Sequence, residues 1–196
     1  MRPYVWFLAI SIAAVAIVGA VNRTGRVARA DVLVPKVVPG ATNPEDRARG
    51  TEDSEGLMIP VEGVTADHLK SSFNEARGGG FRVHHALDIL APRGTPVHAA
   101  VAGTIRKLFV SKAGGITIYQ FDPSERFVYY YAHLDHYAAG LHEGQLAAKG
   151  EVIGYVGTTG NAPANTPHLH FSISKLDDDK RWWKGTPIDP FLIFKP

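Results

Sequence analysis

The stretch TPHLHFSI, residues 166–173, predicts a strand whose two faces differ in chemistry. Side chains in a strand alternate between its faces, so residues two apart point the same way. His168 and His170 therefore share one face, while Leu169 and Phe171 share the other. We expect the apolar face to pack against a core and the two imidazoles to face a common space.

Similar short apolar runs precede this strand, and turn residues separate them. The chain has 20 glycines and 13 prolines in 196 residues, which is typical of short strands joined by tight turns. The pattern predicts a mostly β protein, an antiparallel sheet curled into a sandwich or barrel. Two smaller elements are expected upstream: a strand in LMIPVEG (57–63), and one or two helical turns in TADHLKSSF (65–73) capped by Thr65 or Asp67.

Composition excludes several classes of function. The formal net charge is +2, with 20% charged residues. Lys and Arg are scattered and form no basic stripe with interleaved aromatics, so no nucleic-acid partner is expected. The chain has no cysteine, which excludes a disulfide framework, thiolate zinc ligands and a cysteine nucleophile.

The N-terminal segment is apolar and uncharged from Pro3 to Val21. A helix of that length spans a hydrocarbon core of about 30 Å, which favours a membrane anchor. The small residues around ARA (28–30) also allow a cleaved signal peptide, and a buried core helix is a third reading. One observation opposes simple export: Arg2 stands alone before the segment and three arginines follow it, which favours the opposite orientation.

The chain divides by composition into three parts. Residues 1–30 are the membrane anchor or signal segment. Residues 31–56 are rich in Pro, Gly, Asp, Glu and Arg without a hydrophobic period, and predict a flexible linker, with a loosely docked arm as the alternative. Residues 57–196 form the folded domain.

One strand cannot complete a metal site, because catalytic zinc usually takes three protein ligands and a water. His84 and Asp88 in HHALD are further candidates, but a straight strand would hold them about 13 Å apart, so a bend is required between them. The three preceding glycines and the small Ala86 allow one. His133, in YYYAHLD, is a third candidate. Paired histidines on one strand face bind a metal together, or one binds it while the other transfers protons.

Four further histidines are expected to be structural, hydrogen-bonded residues. They are His68, His98, His136 and His142.

At this point the sequence resembles the lysostaphin-type, LytM-like zinc metallopeptidases, which cut the peptide part of peptidoglycan. The resemblance covers residues 57–190. Its motifs are PVEG, FNEARGGGFRVHHALDI, APRGTPVHAAVAGTI, YAHLD, KGEVIGYVGTTG, PHLHFSI and GTPIDPF. The His-x-x-x-Asp, the isolated His and the His-x-His occur in the family's order.

The resemblance implies an antiparallel β sandwich-barrel with a groove, and one Zn²⁺ per chain carrying a bound water. It implies that His84, Asp88 and His170 are the zinc ligands and that His133 and His168 are the catalytic pair. His168 is our candidate general base; His133 stabilises the oxyanion or gives a proton to the leaving amine, and the two roles are exchangeable.

Two residues between these ligands do not follow the family's site pattern. The family often has glycine where this chain has Ala86, and His85 occupies a position that the family does not use as a ligand. Arg82, Tyr129 and Tyr131 are candidates for the groove lining, with ordinary packing as the alternative for the tyrosines.

The implied partners are a peptidoglycan peptide as substrate, the membrane through the N-terminal helix, and a possible protein activator. The expected location is the cell envelope, with the domain either anchored to the inner membrane and facing away from the cytoplasm or exported after signal cleavage.

Two rival functions follow from the same residues. Some relatives lack zinc ligands and serve as non-catalytic regulators of other wall hydrolases, but no ligand is missing here. A phosphocarrier or other binding module would use the paired histidines without metal, and both Asp88 and the apolar N-terminal segment argue against it.

Overall fold

The structure is a computed structural model that describes residues 56–77, 79–80 and 82–195. The predicted anchor and nearly all of the predicted linker lie outside the described residues. Within the described part of the chain, no helix has the length and apolar character needed to cross a membrane.

The described residues form a mostly β domain, as the sequence predicts. A three-residue 3-10 helix, Ala66–His68, comes first, and one short α-helix, α1, closes the chain at Pro190–Phe194. Between them lie β1 (Ala76–Arg77), β2 (Arg82–Val83), β3 (Leu87–Leu90), β4 (Pro96–His98), β5 (Gly103–Ser111), β6 (Gly115–Phe121), β7 (Phe127–Tyr137), β8 (Leu146–Ala147), β9 (Val152–Val156), β10 (His168–Leu176) and β11 (Gly185–Ile188).

All strand pairings in this domain are antiparallel. The main sheet runs in the order β11-β10-β7-β6-β5-β8, with β3 added to β10 and the β4–β9 pair added to β7, while β1 and β2 form a separate hairpin. The antiparallel prediction is confirmed, but the described strands do not close into a barrel. Instead, the long strands β7 and β10 each change partner along their length, so the sheet branches at its ends: β10 pairs with β3 through His168–Phe171 and with β11 through Ile173–Leu176.

The core confirms the alternation predicted for β10. Leu169 and Phe171 have no exposed surface and Ile173 is 2% exposed. Burying each such side chain contributes roughly 1.5–3 kcal/mol to the stability of the fold. A slip of one residue in the pairing of β10 would move these side chains to the groove face and the histidines into the core, so the apolar pattern fixes the register of the site.

Two local expectations were wrong or only partly right. LMIPVEG forms no strand: Val61 alone makes an isolated bridge, to Val97. Pro60 lacks an N–H to donate to a ladder, and its carbonyl accepts from His98 instead. The predicted helix at 65–73 is limited to the 3-10 turn, and the Thr65 side chain donates to Asp67 rather than capping the helix.

Candidate metal centre and active site

The pairing of β3 with β10 brings a carboxylate next to a histidine. Asp88 on β3 stands directly opposite His170 on β10. Directly opposed residues on antiparallel strands project from the same face with their Cβ atoms about 5 Å apart. The Asp88 Oδ1 atom therefore lies 3.1 Å from His170 Nδ1.

His84 joins this pair because the chain bends before β3. The bend is at His85, whose φ of 53° is in the left-handed region. The backbone N–H groups of His84 and His85 donate to the carbonyls of Glu75 and Phe73, which fixes the bend. The sequence predicts a bend but suggests the glycines and Ala86 as its site; Ala86 is instead a fully buried core residue.

The three side chains form a compact triangle of ligand atoms. His84 Nε2 lies 3.0 Å from His170 Nδ1 and 3.0 Å from Asp88 Oδ1. Tetrahedral zinc with bonds of about 2.0–2.2 Å separates its ligand atoms by about 3.3–3.6 Å, so the triangle fits one such ion after a small adjustment. Among the described residues this is the one group of three such side chains that could hold a metal ion.

A second layer of contacts orients these groups. His84 Nδ1–H donates to the Ser72 carbonyl at 3.0 Å, which leaves Nε2 as the lone-pair atom facing the site. Arg77 Nη2 donates to Asp88 Oδ2 at 2.8 Å, and Arg77 Nη1 pairs with Glu75 at 2.9 Å. One Asp88 oxygen is thereby held by the protein while the other faces the two histidines.

A β-bulge in β7 carries His133 to the same place. The pairing of β6 with β7 shifts, so that Ala132 and His133 stand opposite the single residue Thr117. His133 has a φ of 61°, and its N–H donates to the Gly114 carbonyl at 2.8 Å. Its ring centroid lies 5.6 Å from that of His170.

His133 and His168 are held in the same tautomer. His133 Nδ1 is 2.8 Å from the Thr159 carbonyl, and His168 Nδ1 is 2.8 Å from the Thr166 carbonyl. Because a carbonyl only accepts, both rings carry their proton on Nδ1 when neutral, and both present Nε2 as an acceptor. The two ring centroids are 4.9 Å apart, and His168 Nε2 is 3.8 Å from Asp88 Oδ1.

Burial favours the neutral forms of two of the site's imidazoles, those of His133 and His170. Desolvation lowers the pKa of His133 to about 4 despite the hydrogen bond to Thr159. Desolvation also lowers the pKa of His170, against the attraction of Asp88. Burial on its own would raise the pKa of Asp88, but its close contacts with the His170 and His84 rings outweigh burial and hold that pKa well below its usual range. A carboxylate and neutral histidines are the protonation states that bind metals.

All five predicted site residues line one open groove of about 560 Å³. Arg82 also lines it, whereas Tyr131 and Tyr129 are core residues with 0% and 7% exposure. The tyrosine that reaches the groove is Tyr130, between them, which sequence reasoning missed. Strand side chains alternate between two faces, so Tyr130 must point away from the face that Tyr129 and Tyr131 share. That alternation was the signal that could have identified it.

The other histidines lie elsewhere. His98 Nδ1 contacts the Gly150 carbonyl at 2.9 Å, and His136 stacks on Tyr155. His68 contacts Thr65, and His142 contacts the Glu143 carbonyl. None of them lines the groove, as expected from the sequence.

A groove over a His-Asp-His group that could hold a metal ion, with two more histidines beside it, is the arrangement of a metallohydrolase. The chain belongs to peptidase family M23, whose model matches residues 82–190. The family resemblance inferred from the sequence is thereby confirmed.

Three relatives show how far the likeness extends. The L-Ala--D-Glu endopeptidase of Bacillus subtilis is 36% identical over 147 residues, which cover 72% of this chain and 44% of that protein. The peptidoglycan DD-endopeptidase ShyC of Vibrio cholerae is 31% identical over 107 residues, 53% of this chain and 24% of that protein. The catalytic domain of the antimicrobial peptidase lysostaphin from Staphylococcus simulans superposes with a TM-score of 0.55 at 26% identity, covering 67% of this chain and 96% of that domain.

The chain thus spans less than half the length of the curated relatives named above. Those proteins carry further regions that have no counterpart in the match.

Proposed function

We propose that this protein is a zinc-dependent endopeptidase that hydrolyses peptide bonds in peptidoglycan. The observation that carries the proposal is the triangle of His84 Nε2, Asp88 Oδ1 and His170 Nδ1, with sides of 3.0–3.1 Å, beside two further histidines in an open groove. Membership of a peptidase family and the endopeptidase names of two relatives support it.

His84, Asp88 and His170 would hold the metal. Two neutral imidazoles and one carboxylate form a donor set that zinc prefers, and three protein ligands leave a fourth position open. A zinc ion held there would polarise a peptide carbonyl and lower the pKa of a nearby water towards about 7.

His168 acts as the general base in this proposal. Its Nδ1–H is engaged by the Thr166 carbonyl, and its free Nε2 lies close to the ligand group. Nε2 therefore takes the proton of the water that attacks the scissile carbonyl. The carbon–nitrogen bond breaks, and the leaving amine needs that proton.

His133 completes the proton path. Its neutral Nε2 is an acceptor, because Nδ1–H is donated to Thr159. It can stabilise the oxyanion or protonate the amine only after receiving a proton at Nε2. His168 is near enough to supply it, since the ring centroids are 4.9 Å apart.

The substrate assignment places the protein in the cell envelope. In this proposal, residues 1–30 anchor the domain to the membrane or direct its export, residues 31–56 tether it, and residues 57–196 are the peptidase. A protein activator is compatible with the same arrangement.

Chelation and reconstitution test the proposal. The purified chain is incubated with isolated peptidoglycan, with a chelator, and with a chelator followed by zinc. We expect soluble fragments in the first and third samples, and their masses identify the bond that is cut. A zinc-loaded protein that releases nothing, from walls of several stem-peptide types, would contradict the enzymatic role and favour a regulator.

A further inference from the structure

A second groove, of about 320 Å³, adjoins the metal centre on the same face of the sheet. Its floor is β10, where Ser172 and Ser174 continue the face that carries His168 and His170. Ser174 is four residues from His170, or about 13 Å along the strand. Tyr130 lines both this groove and the larger one, so the two form a continuous surface.

A row of aromatic rings runs from the metal centre along this surface. The Tyr130 ring centroid lies 5.9 Å from that of His170 and 4.5 Å from that of Tyr119. Tyr119 contacts Trp182 at 4.6 Å, and Trp182 contacts Trp183 at 4.9 Å. Trp182 packs against a small buried cluster, whereas Trp183 is 58% exposed.

Four polar groups of this groove, two serine hydroxyls and two indole N–H groups, have no partner among the described residues. Among the described residues, neither the Ser172 nor the Ser174 hydroxyl has a hydrogen-bond partner, although both residues are half-buried. The same holds for the indole N–H groups of Trp182 and Trp183 within the described part of the chain. The groove therefore offers aromatic faces together with free donors and acceptors.

Lys184 in this groove, and Lys180 and Arg181 just before its two tryptophans in sequence, are in contrast each paired with a carboxylate. Lys184 pairs with Asp177 at 2.8 Å and Lys180 with Glu125 at 3.0 Å. Arg181 pairs with Asp179 and stacks on Trp183. A ligand with carboxylates, such as a stem peptide, finds no unpaired positive charge among these residues.

We infer that this second groove binds the sugar chain of the substrate, as a glycan subsite adjoining the peptide-cutting centre. A pyranose ring has one apolar C–H face, which stacks on Trp183, and peripheral hydroxyl and acetamido groups, which hydrogen-bond to Ser172, Ser174 and the indoles. This inference rests on the proposed function for its source of glycan, and it explains why an aromatic surface would continue from a peptidase site.

Binding of a sugar without a peptide tests the inference separately from catalysis. The full chain, loaded with zinc, is titrated with a tetrasaccharide of β-1,4-linked N-acetylglucosamine, followed by tryptophan fluorescence and calorimetry. We expect binding that Trp183→Ala weakens about three- to tenfold and that Trp183→Phe largely retains. Leu146→Ala is the control and should bind normally, because Leu146 is 57% exposed and does not line the groove.

A comparison of substrates completes the test. Trp183→Ala should raise KM for a glycan-bearing peptidoglycan fragment and leave kcat/KM for a sugar-free cross-linked stem peptide unchanged. Failure of the tetrasaccharide to bind up to millimolar concentration would overturn the inference, as would an equal loss on both substrates, which would make the groove a peptide subsite. Because the tetrasaccharide has no peptide bond, its binding is measured whether or not the chain proves to be a peptidase.

Discussion

At the scale of single residues, the site depends on which atom of each side chain is hydrogen-bonded to the surrounding protein and which atom is left facing the groove. The Nδ1 atoms of His84, His133 and His168 each donate to a backbone carbonyl, which leaves Nε2 towards the groove. Asp88 is oriented in a similar way: Arg77 donates a hydrogen bond to its Oδ2 atom, and its Oδ1 atom faces the histidines. These contacts lead to two predictions.

Arg77→Gln should weaken zinc binding about 10- to 100-fold, because Asp88 loses the partner that orients it. The measurement is a competitive zinc titration against a chelating dye. Arg82→Gln is the matched control, since Arg82 lines the same groove without an ion pair among the described residues. Equal zinc affinity in Arg77→Gln and the wild type would show that Arg77 does not position the ligand.

The metal-free protein should lose stability as the pH falls from about 6.5 to about 4. Burial lowers the pKa of folded His133 to about 4 from 6.5, so in this window the unfolded chain binds the proton more readily. The contribution of neutral His133 to the free energy of unfolding is therefore complete above about pH 6.5 and is lost below about pH 4. The lowered pKa of His170 changes the stability in the same direction. Urea denaturation across this range should show a weaker pH dependence in His133→Gln than in the wild type or in the exposed-site variant His142→Gln.

At the scale of elements, the sequence predicts which face of a strand is buried better than it predicts where a strand bends or bulges. Alternation in TPHLHFSI predicts which side of β10 is buried, because the period is local. The bend at His85 and the bulge at His133 depend on backbone hydrogen bonds to Phe73 and Gly114. Single-residue patterns do not encode such partners, so the positions of His84 and His133 came from the family resemblance rather than from periodicity.

The loop that orients His133 gives an element-scale prediction. Gly115 has a φ of +66°, and a Cβ added there would lie 2.2 Å from Thr159 Oγ1. The Thr159 carbonyl also accepts the His133 Nδ1–H, so crowding at Gly115 should displace the His133 ring as well as strain the turn. We expect Gly115→Ala to cost about 2 kcal/mol or more and to reduce turnover.

Gly140→Ala is the control for this substitution. Gly140 has a φ of +79°, but an added Cβ meets nothing within 4 Å. It should show the backbone strain alone, about 1–2 kcal/mol, with normal turnover. If the two variants have the same stability and activity by calorimetry and fragment release, Gly115 does not support the site.

At the scale of the whole molecule, the site depends on distant parts of the chain. Asp88 and His170 are 82 residues apart and meet only because β3 adds to the edge of β10. No local pattern predicts that pairing, and the branching of the sheet at β7 and β10 was likewise not anticipated. The class of fold was predictable from short apolar runs and turns, while the groove required the full topology.

The domain boundary predicted from composition has a direct consequence. The core residues and all five proposed site residues lie within residues 57–195. A chain comprising residues 57–196 should therefore fold and release fragments from isolated peptidoglycan as well as the full chain does. Loss of that activity, with the domain still folded by circular dichroism, would show that the N-terminal region takes part in catalysis.

The most direct test of the central claim measures bound zinc and peptidoglycan cleavage in the same preparations of His168→Ala, His170→Ala and the wild type. We expect about one zinc per wild-type chain, loss of both zinc and cleavage in His170→Ala, and retained zinc with cleavage reduced about 10²- to 10⁴-fold in His168→Ala. Zinc retained by His170→Ala, or full cleavage by His168→Ala, would contradict the division between ligand and base on which the proposed mechanism rests.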